Sequence, residues 1–379
     1  VDAGGVAEAV MKMSFGNDIG FAETEGAVRF DGPRYGCLIA ELTEDCDFGE
    51  KIGVTTAEPV IRYHGDTASI AELYAINASV LEKVYPTKTV ETDKPISTFD
   101  YQASTYPAPA VKCAKPKVLI PVFPGTNCEY DSARAVEAAG AQADILVIRN
   151  LTAEDVARSV EQAVGKIRDS QMIFLPGGFS GGDEPDGSAK FITAFFRNPA
   201  VKEQVMKLLN DRDGLMCGIC NGFQALIKLG LVPYGKIIDT DDTCPTLTFN
   251  TIGRHQSRIV RTRVASNKSP WLSLTQVGDV YNVPISHGEG KFLASEALVK
   301  QLAENGQIAT QYVDLEGKPT MDAAFNPNGS VCAIEGITSP DGRVFGKMGH
   351  SERIGKALYR NVPGQYDIRM FEAAVKYFK

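Results

Sequence analysis

A cysteine stands at the sharpest turn signal in this 379-residue chain. The apolar run LMCGI, residues 215–219, leads into Cys220, and NGFQAL then continues in a helix-like pattern. Gly218 and Gly222, two residues before and after the cysteine, allow a tight strand-to-helix turn that strains its middle residue. The positive amino end of a helix favours a thiolate, and the backbone N–H of Asn221 can stabilise an oxyanion. The pattern therefore predicts acyl transfer through a thioester at Cys220.

Two other interpretations of this cysteine are open. Cys217 and Cys220 form a CxxC, a spacing found in redox and zinc sites, and free cysteine is often simply buried. No second CxxC or CxxH follows at zinc-ligand spacing, because the other cysteines are scattered singly. Redox pairs open a helix, whereas Cys217 falls inside the predicted strand. We therefore expect no metal site and favour a nucleophile over a buried structural thiol.

A cysteine nucleophile needs a base, and two of the four histidines share one feature. His287 and Glu289 form one His-x-Glu, and His350 and Glu352 form another. In an extended segment, residues two apart point to the same side, so each glutamate could orient its own histidine. Spacing alone does not choose between them. Position late in the chain favours His350, whereas the glycine-rich SHGEGKF suits His287 and Glu289 as a loop that closes over a bound group.

The segment LPGGFSGGD offers a second source of oxyanion donors. Consecutive glycines let backbone N–H groups converge on a negative oxygen, although such pairs are also typical of plain turns. The residues expected to line the pocket for the oxyanion and the substrate are Gly177, Gly178, Phe179, Asn221 and Gln224.

Composition restricts the class of protein. A net charge of −8 and the lack of a Lys/Arg block argue against a nucleic-acid partner, and no apolar run approaches the ~20 residues that span a bilayer. No basic-then-apolar leader opens the sequence, and eight irregularly spaced cysteines are typical of reduced thiols. We therefore expect a cytoplasmic protein that acts on a small molecule, with no membrane partner.

The chain divides by pattern into two domains and a linker. Residues 1–90 predict a small α+β domain, and the composition of residues 91–115, rich in Pro, Thr and Ser, predicts a linker. The first domain is expected to contain helices over Gly5–Met13 and Ser69–Val84 and strands over Arg34–Leu42 and near Ile52–Tyr63.

From residue 116 to 379 strands and helices alternate, beginning with KVLIPVF and including one long helix over Ala189–Leu209. Successive strand–helix units predict an α/β fold with a doubly wound, mostly parallel sheet. Strand-like runs after Thr246 predict antiparallel strands added at its flank. Ligands of such sheets bind outside the carboxyl ends of the strands, where the cysteine turn and the loops PGTNCEYD and LPGGFSGGD fall.

Five motifs in this order, FPGTNCEYDSARA, LPGGFSGGD, GICNGFQAL, SHGEGKF and GHSERIG, resemble the glutamine amidotransferase domain of phosphoribosylformylglycinamidine synthase. The resemblance covers residues 116–379 and implies a class I, flavodoxin-like fold. The opening DAGG and RYGCLIAEL are similar to the last part of the synthetase half of the large single-chain form, a domain related to aminoimidazole ribonucleotide synthetase. The glycine pair that opens the chain without a lead-in strand suggests a piece of a longer polypeptide.

The resemblance implies a function and settles the choice of histidine. It makes Cys220 the nucleophile, His350 the base and Glu352 its orienter, which together hydrolyse glutamine. The ammonia would pass to a synthetase half that uses ATP and Mg²⁺ to convert formylglycinamide ribonucleotide to its amidine in purine biosynthesis. No cofactor is implied for the glutaminase part itself, whose partners are glutamine and the missing synthetase half.

Two motifs depart from the family pattern. The loop reads FSGGD where FSYGD is usual, and the histidine motif reads GHSER where HPER is common, which trades a rigid proline for a serine. Neither change removes a member of the triad. The competing hypotheses are a stand-alone cysteine hydrolase or peptidase on the same fold, and a non-catalytic module in which Cys220 is a packed thiol.

Overall fold

The computed structural model describes residues 1–27, 32–44, 46–87, 89, 96–106, 108–180 and 188–379. The chain forms two compact units, Val1–Thr87 and Lys88–Lys379. None of the helices in the described ranges has the length and apolar character that crossing a bilayer requires.

The first unit is a four-stranded sheet with two helices. Its elements are α1 (Gly5–Ser14), β1 (Gly20–Glu23), β2 (Gly53–Thr56), β3 (Val60–Tyr63), β4 (Asp66–Ser69) and α2 (Ile70–Ser79). The strand order is β2-β1-β3-β4, with β1 antiparallel to β2 and parallel to β3. Val6 and Val10 of α1 pack with Phe21 of β1 in a small core.

The strand predicted over Arg34–Leu42 is wrong. These residues form no strand, and Leu38 is 94% exposed. A strand needs a neighbouring strand to satisfy its backbone and a core to bury its alternate side chains. Among the described residues this segment pairs with no strand, and of its side chains Ile39 packs against the small core. The second predicted helix is also shorter than expected, because it ends at Ser79 instead of Val84.

The second unit is an α/β structure around a nine-stranded mixed sheet. Its elements are β5 (Lys117–Val122), α3 (Glu129–Ala138), β6 (Gln142–Val147), α4 (Ala153–Asp169), β7 (Met172–Leu175), α5 (Lys190–Phe196), α6 (Pro199–Asn210), β8 (Leu215–Ile219), α7 (Asn221–Leu229), α8 (Leu231–Tyr234), β9 (Thr246–Phe249), β10 (Gln256–Val264), β11 (Val280–His287), β12 (Glu289–Leu293), α9 (Glu296–Glu304), β13 (Ile308–Tyr312), β14 (Ile334–Thr338), β15 (Val344–Lys347) and α10 (Met370–Tyr377). The sheet order is β11-β10-β13-β14-β15-β8-β7-β5-β6, and β9 pairs separately with β12.

The sheet joins a parallel half to an antiparallel half. Strands β15, β8, β7, β5 and β6 run parallel, whereas β11, β10, β13 and β14 pair antiparallel. Strands β7 and β8 are buried along their whole length, as expected for parallel strands covered on both faces. The predicted α/β fold and the antiparallel additions are confirmed, and the sheet is mixed.

The long helix predicted over Ala189–Leu209 is wrong, because it is two helices. Helix α5 ends at Phe196, and α6 begins at Pro199. Proline lacks a backbone donor and suits the first position of a helix, and the side chain of Asn198 caps α6 by accepting from the N–H of Ala200 at 3.1 Å. The sequence NP was a start signal that the continuous apolar pattern concealed.

The described part of segment 91–115 lies against the second unit. The Phe99 N–H donates to Gln311 Oε1 at 3.0 Å, and Tyr101 forms an isolated bridge with Ser266. Further on, the Cys113 N–H donates to the carbonyl of Phe378 at 2.7 Å. Backbone hydrogen bonds therefore tie this segment to the second unit at both ends. Residues 91–95 and 107 lie outside the described residues.

One pairing of strands decides where the site forms. Strand β15 lies parallel to β8, with Lys347 opposite Ile219. Parallel strands end at the same edge of a sheet, so the segment after β15 lies beside the segment after β8. The GHSER motif and the cysteine turn therefore meet, although they are far apart in sequence.

Candidate active site

Cys220 occupies the turn between β8 and α7 in a strained backbone conformation. Its φ is +54° and its ψ −107°, a region that L side chains rarely adopt. The flanking glycines are needed because a Cβ on Gly218 would lie 2.5 Å from the carbonyl oxygen of Gly222. A Cβ on Gly222 would lie 2.1 Å from the carbonyl oxygen of Leu175. The turn has the geometry of a nucleophile elbow.

The Cys220 side chain is almost fully enclosed. It is 3% exposed, and its thiol lies 3.7 Å from the carbonyl oxygen of Ser286. The Cys220 N–H donates to the carbonyl of Lys347 at 2.9 Å, which ties the elbow to the end of β15. Cys217, three residues earlier, is fully buried within β8, and burial raises the pKa of its thiol well above the usual value despite the opposing charge of Lys347. The two thiols of the CxxC therefore lie in different environments.

His350 and Glu352 form a buried hydrogen-bonded pair. His350 Nδ1 lies 2.6 Å from Glu352 Oε1, and the two side chains are 1% and 0% exposed. Burial lowers the pKa of His350, but the Glu352 carboxylate and hydrogen bonds with the Cys128 and Cys220 thiols outweigh it and raise the pKa well above the usual value. Nε2 has no geometric hydrogen-bond partner among the described residues. The pair thus fixes the ring through Nδ1, and Nε2 is the ring nitrogen without a hydrogen-bond partner in the described part of the chain.

Glu352 stays ionised beside this histidine. Burial raises the pKa of its carboxyl, but the charge and hydrogen bond of His350, with a contribution from Arg353, lower the pKa below the usual value. An ionised carboxylate holds the Nδ1–H tautomer and stabilises the imidazolium form.

The other His-x-Glu segment is not paired in this way. His287 is 1% exposed, and neither of its ring nitrogens has a partner among the described residues. Burial lowers its pKa to about 3, with help from the charges of His350 and His255, so the ring is neutral near pH 7. Glu289 instead accepts from the Ser188 N–H at 3.1 Å.

The predicted pocket residues fall into two groups. Gly177 faces the reactive groups, because a Cβ there would lie 2.7 Å from His350 Cε1 and 3.4 Å from Cys220 Cβ. Gly178 has a φ of +147°, which favours glycine. The Phe179 N–H donates to the carbonyl of Gly125 at 2.8 Å, and its ring is 40% exposed. Gly181, Gly182 and Asp183 of the FSGGD motif lie outside the described residues.

The side chains of Asn221 and Gln224 belong to a buried network. Asn221 accepts from the Ser180 N–H at 3.1 Å and donates to Gln224 Oε1 at 2.9 Å. Gln224 in turn donates to the carbonyl of Glu289. These contacts hold the loop after β7, the elbow helix and β12 together, so both side chains are already engaged within the protein.

A second thiol, Cys128, lies beside the pair and was missed by sequence reasoning. Its Sγ is 3.9 Å from His350 Nδ1 and accepts from the Arg353 guanidinium at 3.0 Å. The signal was present, because PGTNCEYD follows β5 at the same edge of the sheet. Cys128, His350 and Glu352 also form a group of potential metal ligands, with ligand atoms within 4.8 Å of one another. Glu352 already holds the Nδ1 of His350, so this group coincides with the hydrogen-bonded pair.

The chain is similar to known proteins over its second unit. The sequence model of the CobB/CobQ-like glutamine amidotransferase domain matches residues 115–378. The phosphoribosylformylglycinamidine synthase subunit PurQ of Methanococcus maripaludis strain S2 is 35% identical over 255 residues, which is 67% of this chain and 87% of the relative. The subunit PurQ of Aquifex aeolicus is 34% identical over 244 residues, covering 64% and 92%.

A solved structure shares the fold. The structure of PurLQS from Thermotoga maritima matches with a TM-score of 0.51 and 26% sequence identity. The match covers 70% of this chain and 100% of that one.

Proposed function

The chain belongs to the CobB/CobQ-like glutamine amidotransferase family, as a relative of PurQ subunits, and we propose that Cys220, His350 and Glu352 are its catalytic triad. The domain is the glutaminase portion of a phosphoribosylformylglycinamidine synthase, a ligase of purine biosynthesis. One observation carries the triad assignment. A buried 2.6 Å hydrogen bond orients His350 beside a cysteine held at an elbow.

The first half of the reaction forms a thioester. Cys220 Sγ attacks the side-chain carboxamide carbon of glutamine, and its proton passes to His350 Nε2. The imidazolium is stabilised by Glu352, and it gives the proton to the departing nitrogen as ammonia leaves. The raised pKa of His350 supports this role, because its ring accepts a proton more readily than an ordinary imidazole.

The second half releases glutamate. His350, neutral again, takes a proton from a water molecule that attacks the thioester carbonyl carbon. The carbon–sulfur bond breaks, and Cys220 Sγ leaves as the thiolate. The same imidazole thus acts as a base to the thiol, as an acid to the departing ammonia and then as a base to water.

The negative oxygen that develops in both halves needs backbone donors. The N–H of Asn221, the first residue of α7, has no acceptor within its helix and lies next to the nucleophile. The close approach of Gly177 to Cys220 supports a second donor from the Gly177–Gly178 segment. The Phe179 N–H is not such a donor, because it is bonded to the Gly125 carbonyl. The Phe179 ring is proposed to line the mouth of the pocket.

The ammonia is proposed to serve a synthetase component. The relatives are named as subunits of the synthase, and the similar structure is that of PurLQS. In this proposal ATP and Mg²⁺ act in that component, where ammonia displaces phosphate from activated formylglycinamide ribonucleotide to form formylglycinamidine ribonucleotide. Residues 1–90 are proposed as the end of a synthetase half in the same polypeptide, with residues 91–115 as the linker. The reaction is placed in the cytoplasm, without nucleic acid or membrane.

Labelling with a glutamine-mimicking diazoketone tests the triad. Mass spectrometry should find the label on Cys220, and both Cys220→Ala and His350→Ala should abolish it. Cys217→Ala is the matched control, because it removes the buried thiol of β8, three residues before Cys220. In this variant Cys220 should be labelled as in the native chain. Label at another cysteine with Cys220 unmodified would contradict the proposal.

A second part of the experiment distinguishes a glutaminase site that is inactive without its partner from an incorrect assignment of the triad. If the chain alone is not labelled, the measurement is repeated with a synthetase component and its nucleotide substrates added. Labelling that then appears at Cys220 supports a glutaminase that waits for its partner. Reaction of Cys220 only with a generic alkylating agent would favour a different cysteine hydrolase.

A further inference from the structure

A fully buried ion pair lies directly beneath the turn that carries His350. Lys347 Nζ at the end of β15 is 3.3 Å from Glu335 Oε1 on the neighbouring β14, and the side chains are 1% and 0% exposed. Glu335 Oε2 also accepts from the Thr310 hydroxyl at 2.5 Å. Burying two charges is costly, and such pairs often stabilise no better than apolar residues of the same size. Stability alone therefore does not explain why this ion pair is buried here.

The pair binds the backbone and the side chain on either side of His350. Glu335 Oε1 accepts from the Gly349 N–H at 2.6 Å. Lys347 Nζ donates to the Gly349 carbonyl at 3.2 Å and to Ser351 Oγ at 2.9 Å. The residues before and after the histidine are thus held by one pair of opposite charges.

The same lysine also contacts the nucleophile's backbone. The Lys347 carbonyl accepts from the Cys220 N–H at 2.9 Å, and its side chain reaches the two neighbours of His350. One residue therefore sets the position of the elbow and of the histidine turn relative to each other.

The local sequence explains why such a hold is needed. The turn reads Gly349-His350-Ser351, with a flexible glycine on one side and no proline on the other to restrict the backbone. Gly349 must stay glycine, because a Cβ would lie 2.6 Å from Val283 Cγ2. Rigidity here has to come from contacts outside the turn.

We propose that Lys347 and Glu335 are positioning residues that hold His350 in register with Cys220 during glutamine hydrolysis. The proposal rests on the function proposed above. In this proposal neither side chain touches substrate, and both act through the backbone and Ser351. A loss of the pair should slow the chemical step and leave glutamine binding intact, because small misplacement of a catalytic group is costly in rate.

The test is the double variant Lys347→Met with Glu335→Gln in the full chain. It removes both charges together, so no unpaired charge remains. The amide introduced by Glu335→Gln keeps an oxygen for the Gly349 N–H. The thioether chain introduced by Lys347→Met fills the space of the lysine stem but cannot donate to the Gly349 carbonyl or to Ser351. We expect kcat for glutamine hydrolysis to fall about 10- to 100-fold, with KM within about twofold of the native value.

A second readout does not depend on turnover. The proton NMR resonance of the His350 Nδ1–H in its short hydrogen bond to Glu352 should be lost or broadened in the double variant. Arg343→Met is the matched control, because it breaks a 2.9 Å ion pair with Asp213 just before the opposite end of the same strand. It should keep both the resonance and kcat, whatever it does to the unfolding midpoint.

The outcomes separate this proposal from the proposed function. A folded double variant with native kcat and a native resonance overturns the positioning role, and so does an equal loss of kcat in Arg343→Met. If the native chain hydrolyses no glutamine even with its synthetase component, the proposed function fails. The positioning role in hydrolysis then fails with it, and the resonance reports only whether the ion pair holds the His350–Glu352 hydrogen bond in place.

Discussion

Two segments of this protein share the spacing His-x-Glu and the burial of both side chains, but differ in side-chain hydrogen bonding and in the pKa of the histidine. At residues 350–352 the histidine donates to its own glutamate at 2.6 Å, and its pKa is raised well above the usual value by that carboxylate and by two thiols, against the effect of burial. At residues 287–289 the ring nitrogens of the histidine have no hydrogen-bond partner among the described residues, and burial lowers its pKa to about 3.

The difference lies in backbone direction and not in composition. The segment 287–289 joins two strands, β11 and β12, and Glu289 turns to the N–H of Ser188. The segment 350–352 is a turn after β15, in which both side chains fold toward each other. A His-x-Glu motif forms a hydrogen-bonded pair only when the backbone between the two residues brings their side chains together.

The largest test of this comparison removes each histidine. We expect His350→Ala to lower kcat for glutamine hydrolysis by about 10²- to 10⁴-fold, because general acid and base catalysis are lost. His287→Ala should lower the free energy of unfolding by about 2 kcal/mol through a buried cavity and change kcat far less. Steady-state kinetics and urea unfolding of both variants check this. Equal losses of kcat would remove the distinction between the two segments.

The second test removes each carboxylate charge. Glu352→Gln should lower kcat by about 100-fold, because the imidazolium loses its counter-charge and the ring its tautomer control. Glu289→Gln retains an oxygen for the Ser188 N–H and should leave kcat within about threefold of the native value. The measurement is kcat at saturating glutamine. A larger effect at residue 289 would show that the loop acts in catalysis.

The third test uses pH, because the two histidines act on stability with opposite sign. The folded pKa of His287 is about 3, below its unfolded value, so the unfolded state binds the proton first and stability falls as the pH drops below about 6.5. The loss should reach about 2 kcal/mol at pH 5. The folded pKa of His350 is raised, so its contribution is present below the unfolded pKa and is lost as pH rises through the folded pKa.

Urea unfolding of the native chain and of His287→Asn, each at about pH 7 and about pH 5, isolates the contribution of His287 to stability. The variant should lack the loss of stability on the acid side that is assigned to His287. An identical pH profile in both proteins would contradict the neutral state of His287.

The smallest test adds one methyl group against each ring. A Cβ on Gly177 would lie 2.7 Å from His350 Cε1, and a Cβ on Gly290 would lie 2.4 Å from His287 Cε1. Gly177→Ala should lower kcat by about threefold to tenfold by displacing the base, and Gly290→Ala should cost about 1 kcal/mol of stability through overpacking. Kinetics and urea unfolding of both variants show whether Gly177 matters for kcat and Gly290 for stability.

Several predictions depended on local patterns and agree with the fold. The apolar run LMCGI identified β8, and this run, the glycine spacing around Cys220 and the helix-like pattern after it identified the turn between β8 and α7. Local signals misled where a partner was needed. RYGCLIAEL has a strand-like composition but pairs with no strand among the described residues, and the helix over Ala189–Leu209 is interrupted at Pro199.

The contacts of Glu335 and Lys347 could not be predicted from the sequence, and for Cys128 the sequence indicated its edge of the sheet but not its neighbours. Cys128 follows β5, Glu335 lies on β14 and Lys347 ends β15, and their neighbours are set by sheet order. A buried lysine is unexpected from composition, because its charge is tolerated only where a carboxylate and backbone carbonyl already stand.

The sequence by itself determined the α/β class, the elbow at Cys220 and two histidines as candidate bases, because periodicity and glycine spacing act over a few residues. Only the tertiary structure decided which histidine is hydrogen-bonded to its glutamate, which thiol faces the core and which charges lie beneath the turn. Those outcomes depend on β15 lying parallel beside β8, a contact between segments more than 120 residues apart that no local pattern encodes.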